Sequence, residues 1–129
     1  MKVISFCLLG NDPKYNIGAI ENAKLAKTLY PDWICLFIVS RHLGPPAVLD
    51  LLMRPEFDNV KVLHCDSPPD WRLMLNRFQA IENPDVEIMI VRDCDSRLSS
   101  REVAAVDEWL ASDKSFHTMH DHPYHTVPI

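Results

Sequence analysis

Short, continuous apolar runs alternate along this chain with longer segments whose apolar residues keep helical spacing. KVISFCLLG, from Lys2 to Gly10, has the unbroken apolar character of a strand covered on both faces. In NDPKYNIGAIENAKLAKTLYP, residues Ile17, Ile20, Ala23, Leu25 and Leu29 roughly keep helical spacing, and Pro31 ends it. WICLFIVS (Trp33 to Ser40) is a second strand. The loop RHLGPP leads into a short helix, PAVLDLLMR, with proline in its first turn. VKVLHC (Val60 to Cys65) is a third strand. After the loop DSPPD, the spacing predicts a helix over Trp71 to Asn83, closed before Pro84. VEIMIV (Val86 to Val91) is a fourth strand.

Ser99 and Glu102 then form a capping box, in which the serine accepts from the helix and the glutamate reaches back. The helix they start presents Val103, Val106, Trp109 and Leu110 on one face. The tail SFHTMHDHPYHTVPI reads as a strand and a loop. Strand and helix repeated in this way predict an α/β fold: a mostly parallel, Rossmann-like sheet with helices on both faces. No internal repeat or linker interrupts it, and the chain reads as one domain over residues 1–129.

The totals narrow the function. The chain has 129 residues, with Lys+Arg 13 against Asp+Glu 18, a net charge of -5. Binders of nucleic acid ordinarily carry a basic face, so that class is set aside. A nucleotide remains open, because one arginine or a metal ion neutralises a diphosphate locally. No apolar run reaches the ~20 residues of a membrane span. The N-terminus lacks a signal-peptide pattern, so a cytoplasmic protein is expected. Cys7, Cys35, Cys65 and Cys94 show no paired metal or redox spacing, and four reduced thiols are expected.

The chemistry gathers in IMIVRDCDSRLSSRE, Ile88 to Glu102. Asp93 and Asp95 follow the fourth strand directly, where open α/β sheets bind ligands. In an extended segment, positions i and i+2 point to one side. Two carboxylates so placed suit a hard cation, Mn²⁺ or Mg²⁺, whose open positions a diphosphate fills. The same letters also serve turns and caps, but Ser99 already supplies the cap.

At this point the sequence resembles a glycosyltransferase family of the GT-A fold, found in bacterial polysaccharide loci and in proteins of large viruses. The match runs through Arg92, Asp93, Asp95, Ser96, Arg97, Leu98, Arg101, Glu102, Glu108 and Trp109. It continues through Phe116, His117, Asp121, His122, Pro123 and His125. Upstream, Asn76-Arg77-Phe78 and GNDPKY resemble a family helix and the first nucleotide loop. The resemblance implies that Asp93 and Asp95 form a DxD motif holding the metal and the diphosphate of a nucleotide-sugar, with a UDP-sugar expected and a glycan as acceptor. Cys94 stands where a small residue is common, with its side chain expected to point away. The family continues beyond the position matching His125 into an acceptor-binding half, so the chain is expected to hold the nucleotide-binding half.

Further candidates follow from that frame. Strand one would lie beside strand four, turning the GNDPKY loop toward the aspartates. Asn11 or Asp12 would then hydrogen-bond the base or ribose, and Tyr15 would stack on the base. Asn-Asp-Pro is equally good turn chemistry, with Asp12 as the helix cap. Arg77 and Arg92 would pair with phosphate or brace Asp93. Asp121 and His122 are the candidate catalytic or sugar-contacting residues. His117, His120, His122 and His125 lack the spacing of a common zinc site.

Two other readings compete. A phosphatase of the haloacid dehalogenase type also uses an apolar-Asp-x-Asp start, but it needs that motif early and further motifs long after it. A truncated, inactive GT-A remnant acting as a nucleotide-binding or interaction module is the stronger alternative.

Overall fold

The computed structural model describes residues 1–42 and 47–120. The protein is α/β. Four strands, β1 (Lys2–Cys7), β2 (Trp33–Ser40), β3 (Val60–Cys65) and β4 (Ile88–Val91), pair in one all-parallel sheet of order β3-β2-β1-β4. Helix α1 (Pro13–Leu29) links β1 to β2, and the short α2 (Val48–Leu52) lies between β2 and β3. A tight 3₁₀ segment, Trp71–Glu82, links β3 to β4. Contacts divide the chain into two compact units, Met1–Leu98 and Ser99–Ile129.

In the first unit, β1 and β2 form the centre. Their residues are apolar on both faces because both are covered. Phe6 stands opposite Phe37, and the two rings stack with centroids 5.0 Å apart. Ile4, Phe6, Cys35, Phe37 and Ile38 are all fully buried. Each large side chain buried in this way contributes roughly 1.5–3 kcal/mol. The alternate residues of β1 meet the 3₁₀ segment: Val3 packs with Ala80 and Val86, and Cys7 with Leu73 and Ile38. The connections β1–α1–β2 and β2–α2–β3 step one way along the sheet, while the chain from β3 to β4 returns over it. Right-handed crossovers therefore set α1 and the 3₁₀ segment on opposite faces.

β2 and β3 have the boundaries read from the sequence, whereas β1 and β4 are shorter. The chain leaves β1 after Cys7, and Gly10, at φ +71°, turns it toward α1. Only glycine takes that conformation freely. Before β4, Val86 N–H bonds Asn83 O in a turn, so the strand begins at Ile88. The helix expected over Trp71 to Asn83 winds as 3₁₀ instead. Its Leu73 and Arg77 carbonyls face the sheet, where they accept from Cys7 Sγ (3.1 Å) and Ser5 Oγ (2.6 Å). Carbonyls drawn sideways in this way favour the tighter i→i+3 pattern over α-helical bonding.

The second unit opens with α3 (Ser100–Ala111), and Ser99 Oγ caps it by accepting from Glu102 N–H at 3.3 Å. Beyond the helix, Trp109 stacks on His117 with centroids 6.1 Å apart and donates its Nε1–H to Lys114 O. No strand forms over residues 112–120, and the rest of the tail expected to hold a strand and a loop lies outside the described residues. Residues 121–129, with Asp121 and His122, lie outside the described residues.

Candidate functional site

The strand order reverses beside β1. From β1 the chain steps out to β2 and β3, then returns to β4 on the other side. Such a reversal opens a crevice past the carboxyl ends of the two strands, since the loops leaving them go to opposite faces. The loops in question are 8–12 after β1 and 92–98 after β4. β1 and β4 are neighbours in parallel register, Ser5 facing Val91, as the sequence reading expected. Arg92 N–H extends that ladder by donating to Ser5 O.

The loop after β4 does not stay extended; it turns at Cys94 and Asp95. Within that turn the three residues differ in burial. Cys94 points inward, 2% exposed, and its Sγ donates to Cys7 O at 3.4 Å. Burial pushes its thiol up to about 12. Asp93 and Asp95 point outward, their side chains 56% and 33% exposed.

Each carboxylate meets a cation from a different element. Arg77, from the 3₁₀ segment, bonds Asp93 through Nη1. Lys14, from the first turn of α1, sets its Nζ 3.3 Å from Asp95 Oδ2. That contact raises the Lys14 ammonium above its usual range. Arg77 is the more enclosed cation, and its Nε is buried with no hydrogen-bond partner among the described residues. Arg92 Nη2 donates to Ser96 Oγ at 3.3 Å, bracing the same loop.

Helix α1 fixes this loop through two residues that carry no charge. A Cβ on Gly18 would lie 1.7 Å from the carbonyl oxygen of Cys94, so the helix meets the loop backbone with nothing between. One turn later, Asn22 is fully buried. Its Nδ2 donates to Ser96 O at 2.8 Å, and its Oδ1 accepts from Leu98 N–H at 2.9 Å. Gly18 and Asn22 share one face of α1, being four residues apart. Sequence reading passed over both, along with Lys14. A glycine and an asparagine four apart inside an amphipathic helix were the available signal.

The first loop divides its roles. Asp12 caps α1, its Oδ1 accepting from Lys14 N–H at 2.9 Å and its carbonyl from Tyr15 and Asn16. Tyr15 stays partly exposed at 36%, with Lys14 Nζ 5.5 Å from its ring centroid. Asn11 is exposed and lines an open cavity of about 490 Å³ with Pro13, Asn16, Ile17 and Leu51. The structure therefore pairs Arg77 with Asp93 and Lys14 with Asp95, sets Tyr15 beside Lys14, and places Arg92 against Ser96 of the same loop. It gives Asp12 the capping task and turns Asn11 to the cavity beside α1.

Among the described residues, no group of three or more His, Cys, Asp or Glu gathers as a metal cage. The donor chemistry of the Asp93–Asp95 pair nonetheless suits a hard divalent ion. Both offer carboxylate oxygens to solvent, and an ion such as Mg²⁺ is commonly held by one or two carboxylates plus substrate phosphates. Arg77 beside Asp93 and Lys14 beside Asp95 each offset the negative charge of one carboxylate.

No helix among the described residues is long and apolar enough to cross a membrane. Comparisons with protein-family models, with curated proteins and with solved structures find no match to this chain, so the reading of the crevice rests on its own geometry.

Proposed function

We propose that the chain binds a nucleoside-diphosphate sugar at the β1–β4 crevice, as the donor-binding part of a glycosyltransferase of the GT-A fold. One observation carries the reading. A pair of outward carboxylates stands where the strand order reverses, ringed by arginine and lysine and held by α1 through Gly18 and Asn22. Asp93 and Asp95 would hold Mn²⁺ or Mg²⁺. When bound, that ion neutralises a departing diphosphate as a Lewis acid.

The chain's own residues divide the remaining work. Tyr15 offers an aromatic face to the base, and Arg77 and Arg92 offer guanidinium N–H groups to phosphate oxygens. The buried wall behind Cys94 keeps the loop from yielding as charge gathers in front of it. Preorganised charge of this kind is the main lever of group transfer from a phosphate. Asp121 and His122 remain the proposed catalytic or sugar-contacting residues, and a UDP-sugar is the proposed donor. The free state of all four cysteines supports a reducing, cytoplasmic setting.

The test is turnover. The chain is incubated with radiolabelled UDP-sugars and Mn²⁺, with and without a panel of glycan acceptors. Metal-dependent release of UDP supports the proposal, and acceptor-dependent transfer establishes it in full. Metal-dependent UDP binding with no turnover of any donor favours the non-catalytic nucleotide-binding module. Absence of both binding and turnover rejects the site.

A further inference from the structure

Lys14, on the first turn of α1, pairs with Asp95. Its backbone is fixed: Asp12 Oδ1 accepts from its N–H, and Pro13 precedes it in the first turn of α1. Its side chain is not enclosed in the same way, being 62% exposed. The ammonium lies between two partners, Asp95 Oδ2 at 3.3 Å and the Tyr15 ring at 5.5 Å. A cation anchored at its root, exposed along its side chain and flanked by two attractive surfaces is able to change partners at little cost. Asp93 differs, because its cation, Arg77, is only 25% exposed and its carbonyl is tied to Ser5.

We infer that Lys14 is an internal counter-cation that occupies Asp95 in the empty crevice and passes to the diphosphate when a divalent ion takes its place. The inference rests on the donor-site reading given above. Its physical content is a competition followed by a cooperation. Without nucleotide, the Lys14 ammonium and the divalent ion seek the same carboxylate, so the lysine weakens metal binding. With a diphosphate in the crevice, the released ammonium has a new anionic partner close to its tether, so the lysine strengthens nucleotide binding. Tyr15, whose ring face attracts cations, gives the ammonium an intermediate resting place. A lysine suits this exchange better than an arginine, because its single ammonium makes no planar, two-point grip on a carboxylate.

The opposed signs make the inference testable. Calorimetry is run with MnCl₂ alone, then with UDP at saturating Mn²⁺, on the wild type, Lys14→Met and Lys14→Arg. Lys14→Met is expected to bind Mn²⁺ about two- to five-fold more tightly, as release of an exposed ion pair allows. It is expected to bind UDP roughly ten-fold more weakly, as loss of a charge-assisted contact demands. Lys14→Arg is expected to restore UDP affinity. Changes of the same sign in both titrations, or no change in either, overturn the role of Lys14 while leaving the donor site standing. A wild type that binds neither Mn²⁺ nor UDP overturns the donor site and this inference with it. Because Lys14 projects into solvent, all three proteins should show the same melting temperature without ligand, and a shift of several degrees in Lys14→Met would mark a structural role instead.

Discussion

Asp93 and Asp95 stand two residues apart on one loop, but their surroundings are built to different standards. On the Asp93 side, the partner is Arg77, 25% exposed, on a segment whose carbonyls are tied to β1 by Ser5 and Cys7. On the Asp95 side, the partner is Lys14, 62% exposed, its ammonium 3.3 Å from Asp95 Oδ2. One carboxylate is paired with a half-buried cation on the cover of the sheet, the other with an exposed one on α1. Between the two aspartates, Cys94 points into the protein and is fixed by α1, so the loop has a rigid backbone beneath two unequal surface pairs.

The comparison breaks most completely if the rigid backbone goes. Gly18→Ala places a methyl group where the Cys94 carbonyl oxygen lies. It should cost about 3 kcal/mol, as overpacking against backbone does, despite alanine's better helix propensity. Denaturant unfolding reads that loss. Asn22→Ala strands Ser96 O and Leu98 N–H together in the interior and should cost about 2–3 kcal/mol.

The two cations sharpen the contrast next. Arg77→Met should destabilise by about 1 kcal/mol, because it leaves Asp93 without its half-buried donor. Lys14→Met should leave stability unchanged within the error of the same measurement. Equal losses in the two variants would erase the distinction between the sides.

The smallest effect is read from thiol chemistry. Burial pushes Cys7, Cys35 and Cys94 up to about 12. At pH 8 their thiolate fraction should make them on the order of 10³-fold less reactive than an ordinary exposed thiol. An Ellman titration of the native protein should show fast reaction at half-buried Cys65 alone, and at all four sites after denaturation. Fast labelling of Cys94 in the native state would mean that the loop behind the aspartates opens.

Much of the sheet was legible from its apolar runs. WICLFIVS carries a continuous apolar signal for a central strand, and VKVLHC a shorter one, interrupted by Lys61 and His64, for an edge strand. The 3₁₀ winding of Trp71–Glu82 was not legible. It depends on Ser5 and Cys7, some seventy residues away in sequence, drawing carbonyls toward the sheet. The place of Asp93 and Asp95 after a strand was readable, and so was the cap formed by Asp12. Which cation meets which carboxylate was not, because Lys14, Arg77 and the aspartates meet only once the strand order is set. Gly18 and Asn22 escaped notice for a related reason. Their value lies in what they touch, and nothing in helical periodicity shows a backbone carbonyl 1.7 Å from a missing methyl.

The most direct test of the donor-site account is calorimetric titration of UDP into the wild type and Asp95→Asn, each with and without Mn²⁺. Asp95 is partly exposed and not the cap of α3, which Ser99 supplies, so the variant should fold normally. The account predicts UDP binding by the wild type only with Mn²⁺. Under those conditions saturation to ~100 times the dissociation constant should also raise stability by roughly 2.7 kcal/mol. It predicts loss of that binding in Asp95→Asn. UDP affinity in Asp95→Asn equal to that of the wild type, or independent of Mn²⁺ in both, would contradict it.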